Sequence, residues 1–497
     1  MQQDRIPMKN DPLVQVRLKK LQDLKKRGTD PYPARFSRSH SVADVIARFS
    51  HLREGQRSDE KVTIAGRLVA MRRMGKAAFV DLLDEGDKIQ VYASTEQLEE
   101  PNYSELVTND VGDFLGVTGE VFRTKRGELT VEAAQWRLLA KSLRPLPEKW
   151  HGLKDVELRY RYRSLDLLSN KAVRDLFLRR SHLIAAMRRF LDTRGFIEVE
   201  TPMMQPLAGG ATARPFVTHH NALGIDLYLR IAPELYLKRL VIGGLDRVYE
   251  VGKNFRNEGI STEHNPEYTM LEIYEAYSDY EGMMSLVEAL VSKSASEVIG
   301  SMRVAYQGNE IDLTPPWKRV GLEEAVEQAT GINVRETPAE QILSQAQDNG
   351  IDLPQLSRGK MIEHLFEECV QPGLVQPTIV KDYPADISPL AKRKPDSDGT
   401  VERFELFVGG LETANAFTEL NDPLDQRTRF EEQERMRRAG DEEAQRVDED
   451  FLFTLEHGMP PTGGIGIGID RLVMLLTDSR SIRDVILFPT LRTKKGR

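Results

Sequence analysis

The chain has 497 residues, 29% of them charged, and a net charge of −8. That length holds more than one domain, and the single cysteine, Cys369, excludes an internal disulfide and a cysteine-rich zinc site, which fits a reducing cytoplasm. No apolar stretch approaches the ~20 residues of a membrane span, and residues 1–10 are polar, so a soluble intracellular protein with no membrane partner is expected.

The charge is unevenly spread. Residues 1–160 carry 28 Lys and Arg against 24 Asp and Glu, and the remainder carries 41 against 53, so the front is the basic part. There Asp11-Pro12 reads as a helix cap and first turn, Val14, Leu18 and Leu21 keep helical spacing, and Gly28 ends the helix. Arg17, Lys19, Lys20, Lys25, Lys26 and Arg27 on its other faces suit contact with phosphates, and suit a solvated helix face equally. Five strand-like runs follow, at 62–71, 78–82, 88–92, 114–122 and 128–139, the count of an OB-fold barrel. Such barrels stack single-stranded bases on aromatics and read their edges with amides, which points to Phe79 and Gln90; for Phe79 alone, a core position is the simpler reading.

Pro145, Pro147 and Gly152 then break the periodic pattern before a helical run at 172–194. Further on, 246–251 and 270–274 alternate polar and apolar residues and predict a hairpin. Its long loop carries Asn254-Phe255-Arg256-Asn257-Glu258-Gly259 and His264-Asn265-Pro266-Glu267-Tyr268-Thr269. Arg256 offers a planar fork for phosphate or carboxylate and Tyr268 a face for a base, although the loop alone could be a charged turn. Residues 320–370 read as a mostly helical insertion, and 427–446 as a charged helix of solvent-facing pairs. In 404–423, Glu405 and Glu412 stand among apolar neighbours, where a magnesium ion or a cationic group would compensate them; an isolated pair is more often a surface feature. Last, Gly463-Gly464-Ile465-Gly466-Ile467-Gly468-Ile469-Asp470-Arg471 passes from strand to helix period. Gly464, Gly466 and Gly468 would share one bare face on which a ligand can lie, with the isoleucines in the core and Arg471 opening the helix. The spacing fits neither a dinucleotide fingerprint nor a P-loop.

Together with Gly195-Phe196-Ile197-Glu198-Val199-Glu200-Thr201-Pro202, these segments resemble the three motifs of class II aminoacyl-tRNA synthetases, in order, and nearly the whole chain is similar to the bacterial lysyl branch. The resemblance implies an α+β fold: a helix and OB-fold anticodon-binding domain at 1–145, a linker at 146–160, and a class II catalytic domain at 161–497 whose antiparallel sheet is flanked by helices. It implies a homodimer with the first motif at its interface, L-lysine, ATP and tRNA(Lys) as substrates, and Mg2+ as cofactor. Arg256 would be catalytic, bridging the lysine carboxylate and the α-phosphate. Glu258, His264, Asn265, Tyr268 and Arg471 would bind ATP, with Tyr268 and Arg471 on opposite faces of adenine, and Glu405 and Glu412 would hold magnesium. Glu234 and the Gly210 carbonyl would take the α-ammonium of lysine and Glu419 and Tyr274 its ε-ammonium, with Glu272, Asn415 and Phe417 supporting them. For Glu272, a structural ion pair with an arginine is the alternative. Phe79, Gln90 and Gln135 would read the anticodon. The family usually has glutamate at Gln135, which puts one base contact in doubt, and phenylalanine at Tyr268, which changes little.

Three other readings stand beside this one. An aspartyl or asparaginyl branch would need a basic residue in the pocket, where this chain has Glu234 and Glu419. A ligase that modifies proteins would resemble the catalytic part alone. An inactive RNA-binding relative would have lost the Arg256, Glu258, Glu405, Glu412 and Arg471 set, which is intact.

Overall fold

The computed structural model describes residues 11–146, 155–211, 213–395, 397, 399–441 and 443–492. The chain divides into two compact units, Met1–Asp155 with Ser164–Lys171, and Val156–Arg163 with Ala172–Arg497. Most of the expected linker, residues 147–154, lies outside the described residues.

In the first unit the helix Pro12–Lys26 is capped by Asp11, whose Oδ1 accepts from the Leu13 and Val14 amides at 3.0 and 3.2 Å. Its basic residues do not all face solvent. Arg17 donates to the carbonyls of Ser142, Arg144 and Val111, Lys20 pairs with Asp110 at 2.6 Å, and Arg27 with Glu105. Lys19, Lys25 and Lys26 are exposed, so a phosphate-binding stripe on this helix is narrower than its six charges suggested. Strands Arg57–Met74, Ala77–Asp84, Asp87–Ser94, Leu129–Ala140 and Phe114–Arg123 close, in that order, into a barrel. Alternation puts Ala78, Val80, Leu82, Ile89 and Val91 inside and the residues between them outside.

The second unit is built on an eight-stranded sheet in the order Lys318–Gly321, Thr378–Pro384, Thr400–Val408, Leu411–Thr418, Thr462–Gly468, Glu267–Ala276, Arg247–Phe255, Ile197–Glu198. It is antiparallel except for the outermost pair at each edge. The expected hairpin is its Arg247–Phe255 and Glu267–Ala276 pair. One face buries Leu271, Ile273, Ile465, Ile467, Leu406 and Ala414 against helices Lys171–Asp192, Tyr280–Ile299 and Ile469–Leu476. The isoleucines of the Gly/Ile run therefore do face the core. The insertion folds as Leu322–Thr330, Ala339–Asp348 and Arg358–Cys369 around a separate cluster that includes Val326, Ile342 and Phe366.

The charged helix differs from expectation. It spans Pro423–Arg438, and Gln426, Arg429, Phe430 and Gln433 are buried. Arg429 donates to the carbonyls of Ser388 and Ala391 and pairs with Asp425, so part of this polar sequence is an inward-facing network rather than a row of solvated pairs.

Candidate active site

The face of the sheet opposite the helical core lines a cavity of about 600 Å³. Strand register builds its floor. Glu272 pairs with Gly466, Gly466 with Asn415, and Asn415 with Glu405, so these residues form one row across four strands and share one face. The next row is Tyr274, Gly464, Phe417 and Arg403. Bare glycines sit at the centre of both rows, which leaves the middle of the floor open between side chains that rise on either side.

Glu412 joins this face through an irregularity. Leu406 pairs with Ala414 but Phe407 pairs with Glu412, so Thr413 is an extra residue. In a regular strand, residues 412 and 415 would point to opposite faces; the bulge returns Glu412 to the side of Glu405 and Asn415. Burial and the Glu412 charge push Glu405 up to about 7, although Arg403 at 2.6 Å and the Tyr383 hydroxyl at 2.9 Å both bind it. Glu412 faces Arg471 at 3.2 Å, and the Arg471 guanidinium also donates to the Glu412 carbonyl.

The hairpin loop supplies the opposite wall. Arg256 donates its amide to the Pro266 carbonyl, which closes the loop and aims its guanidinium into the cavity 5.4 Å from the Tyr268 ring centre. Its Nε is buried with no hydrogen-bond partner. Burial opposes its charge, but Tyr268, Glu258, Glu412 and Glu272 together hold the guanidinium above its usual range. Glu258 and His264 lie at the exposed rim, and the His264 ring is within 3.1 Å of the Ser261 hydroxyl. Asn265 also lines the cavity, but its Nδ2 donates to the Glu267 carbonyl at 2.6 Å and its Oδ1 accepts from the Thr490 amide, so its amide chiefly shapes the loop. Burial pushes the Tyr268 hydroxyl up to about 12.

At the far end the pocket is acidic. Gly210, at φ +88°, approaches Glu234 so closely that a Cβ there would stand 3.1 Å from the Glu234 Cβ. Glu272 is buried and makes no ion pair among the described residues: Arg230, the arginine nearby, is taken by Glu250, and burial pushes Glu272 up to about 8. Its contacts are the Asn254 amide at 3.5 Å and the Tyr274 hydroxyl at 3.4 Å. Glu419 lies behind the wall, fully buried, where any side chain at Gly464 would strike its carboxylate. Burial raises Glu419 far above the usual carboxylate range.

In the first unit Phe79, Gln90 and Gln135 share the outer face of the barrel. Phe79 is not a core ring: it lies 5.2 Å from Tyr92 at a tilt of 49°, and Tyr92 lies 6.4 Å from Phe122, so the outer face carries three aromatics where the sequence pointed to one. Gln90 accepts from the Thr130 hydroxyl, and Gln135 is exposed.

A family model described as tRNA synthetases class II (D, K and N) matches residues 155–492, and one described as an OB-fold nucleic acid binding domain matches 62–139. The lysine–tRNA ligase of Moorella thermoacetica is 56% identical over 493 residues, covering 99% of this chain and all of that one. This chain belongs to the class II lysine–tRNA ligases. Members from Carboxydothermus hydrogenoformans and Clostridium perfringens are 53% and 50% identical, each over 97% of this chain and 98% and 96% of theirs. The aspartyl and asparaginyl reading is thereby set aside.

Beside the residues expected from the class II lysine–tRNA ligases, the structure adds Lys238, Arg403 and the helix Arg358–Cys369, whose Lys360, Glu363 and Phe366 line the cavity. Lys238 follows Glu234 by four residues on the helix Glu234–Ile242, and Arg403 precedes Glu405 by two on a strand, so both were within reach of spacing rules. The insertion helix carried no such signal.

Proposed function

We infer that the chain activates L-lysine with ATP to lysyl-adenylate and transfers the lysyl group to the 3′ end of tRNA(Lys), releasing pyrophosphate and then AMP. Full-length similarity to lysine–tRNA ligases carries this reading, and the acidic pocket suits it.

A lysine carboxylate is ionised near neutral pH, so it attacks the α-phosphorus without a general base. One carboxylate oxygen bonds to phosphorus as the bond to the pyrophosphate oxygen breaks. Arg256 suits both partners: its guanidinium has donors free to hold the lysine carboxylate and an α-phosphate oxygen together and to stabilise charge in the transition state. Tyr268 and Arg471 would flank adenine, with Glu258 and His264 at the rim and Asn265 holding the loop in shape. Glu234 with the Gly210 carbonyl would take the α-ammonium, and Glu419 with Tyr274 the ε-ammonium, while Glu272, Asn415 and Phe417 complete the pocket. A neutral side chain would bring no cation to the Glu419 end of the pocket, which disfavours it against lysine.

Among the described residues no group of three metal-ligating side chains forms a self-contained metal site. Glu405 and Glu412 still fit a divalent cation, since they share one face and the Glu412 charge raises the cost of ionising Glu405. Magnesium is commonly held by one or two carboxylates plus substrate phosphates. Bound there, Mg2+ would neutralise phosphate charge. Arg403 would position Glu405, and Arg471 would position Glu412.

The barrel's outer aromatics with Gln90 suit stacking and reading of anticodon bases. Ile197, Met203, Met204 and Val217, in and after the first motif, are exposed apolar residues, which supports a homodimer through that surface. A cytoplasmic location accords with this activity, and among the described residues no helix is long and apolar enough to cross a membrane. The test is aminoacylation: tRNA(Lys) should accept lysine, and a Phe79→Ala, Tyr92→Ala variant should lose charging while keeping adenylate formation. Charging unaffected by that variant would remove the barrel from the reading.

A further inference from the structure

Lys238 is completely buried on the helix Glu234–Ile242. Its ammonium pairs with Glu234 Oε1 at 2.6 Å and with Glu419 Oε2, and lies 5.4 Å above the centre of the Phe417 ring. It thus bridges the two carboxylates assigned to opposite ends of the substrate, although it is not among the residues that line the cavity.

The charges around it can be counted from every element packed there. The helix gives Glu234 and Lys238, the segment after Leu411–Thr418 gives Glu419, Glu267–Ala276 gives Glu272 and Tyr274, and Thr400–Val408 gives Arg403. Arg403 is matched by Glu405, and Arg230 by Glu250. Three carboxylates, Glu234, Glu272 and Glu419, then share one ammonium. By formal charge the three carboxylates exceed that ammonium by two, the number of ammonium groups on lysine; without a ligand, burial favours protons in their place.

We propose that Lys238 is the positioning residue that sets amino-acid specificity: a built-in counterion that bridges and aims the Glu234 and Glu419 carboxylates, offsets part of the cost of burying their charge, and tunes the pocket to a substrate with two ammonium groups. This rests on the lysine-activating function inferred above. Burial raises both carboxylates even beside the ammonium, which is the largest opposing influence on each, so without it they would hold protons more tightly still. Lysine would then displace those protons at a greater cost.

The experiment is lysine-dependent ATP–pyrophosphate exchange at saturating ATP from pH 6 to 9, with wild type, Lys238→Met, Lys238→Gln and Lys238→Arg. Glutamine keeps donors and volume, so it serves if methionine prevents folding. The neutral variants should raise the KM for lysine at pH 7 about tenfold or more, with a smaller change in kcat, and move the acidic limb of kcat/KM upward by about one pH unit. Arginine should restore part of both. Neutral variants with the wild-type KM and pH limb, or an arginine variant no better than glutamine, would overturn the inference. Wild type that does not activate lysine would overturn the function itself, and so separates the two failures.

Discussion

Glu272 and Asn415, on strands that are not neighbours, face the same residue, Gly466, from its two sides. One row to the side, Tyr274 and Phe417 face Gly464 in the same way. The floor of the site is therefore a strand that presents glycines on this face, set between strands that supply side chains, which leaves room for a substrate where side chains would otherwise meet.

Gly464 is the more sensitive of the two. A Cβ there would strike the Glu419 carboxylate and stand 2.6 Å from the Tyr274 ring, both fully buried and unable to retreat. Gly464→Ala should raise the KM for lysine by tenfold or more while altering the KM for ATP little, since a displacement of about 1 Å in a positioned group costs up to ~100-fold. Steady-state exchange kinetics in both substrates checks this, and equal effects on the two would contradict it.

Arg256→Ala should leave the fold intact and lower adenylate formation by roughly 100-fold or more, the scale for losing one donor to developing charge. Among the described residues its guanidinium makes no ion pair, so its removal breaks none. Single-turnover adenylate formation, beside circular dichroism, tests the assignment; near-normal formation would refute it.

Glu272 should make the ligand-free protein less stable as pH rises. Its carboxyl is held at about 8 in the fold, against about 4.3 in an unfolded chain. Between those values the folded state holds the extra proton, so this contribution is present at the acidic end and is lost as pH climbs toward 8. Melting temperatures from pH 4.5 to 8 should fall less steeply in Glu272→Gln than in wild type. Parallel curves would show that Glu272 is not the group responsible.

Glu405, held near 7, binds a proton where it would bind a divalent cation. Cation binding to the complex with a non-hydrolysable ATP analogue should weaken by about an order of magnitude from pH 7 to pH 6, because the proton must leave first. Mn2+ titration followed by electron paramagnetic resonance measures this. Affinity independent of pH over that range would place the cation elsewhere.

Local pattern carried much of this in the sequence. The alternation of glycine with Ile465, Ile467 and Ile469 told which side of that strand is core, and Asp11-Pro12 marked the first helix. What it did not carry depends on pairing between distant segments. The extra residue at Thr413, which turns Glu412 toward Glu405, is visible only once Leu411–Thr418 is in register with Thr400–Val408. Arg429 looks like a solvated helical arginine until the Ser388 and Ala391 carbonyls arrive beside it. The insertion helix reaches the cavity through tertiary packing, and nothing within Arg358–Cys369 announces it.

The most direct test of the whole account is ATP–pyrophosphate exchange with each of the twenty amino acids in the presence of Mg2+, for wild type and Glu419→Gln. Exchange with lysine alone is expected, and a higher KM for lysine in the variant, whose residue 419 can no longer ionise to meet the ammonium. Exchange with aspartate or asparagine, no exchange at all, or an unchanged KM in Glu419→Gln would contradict it.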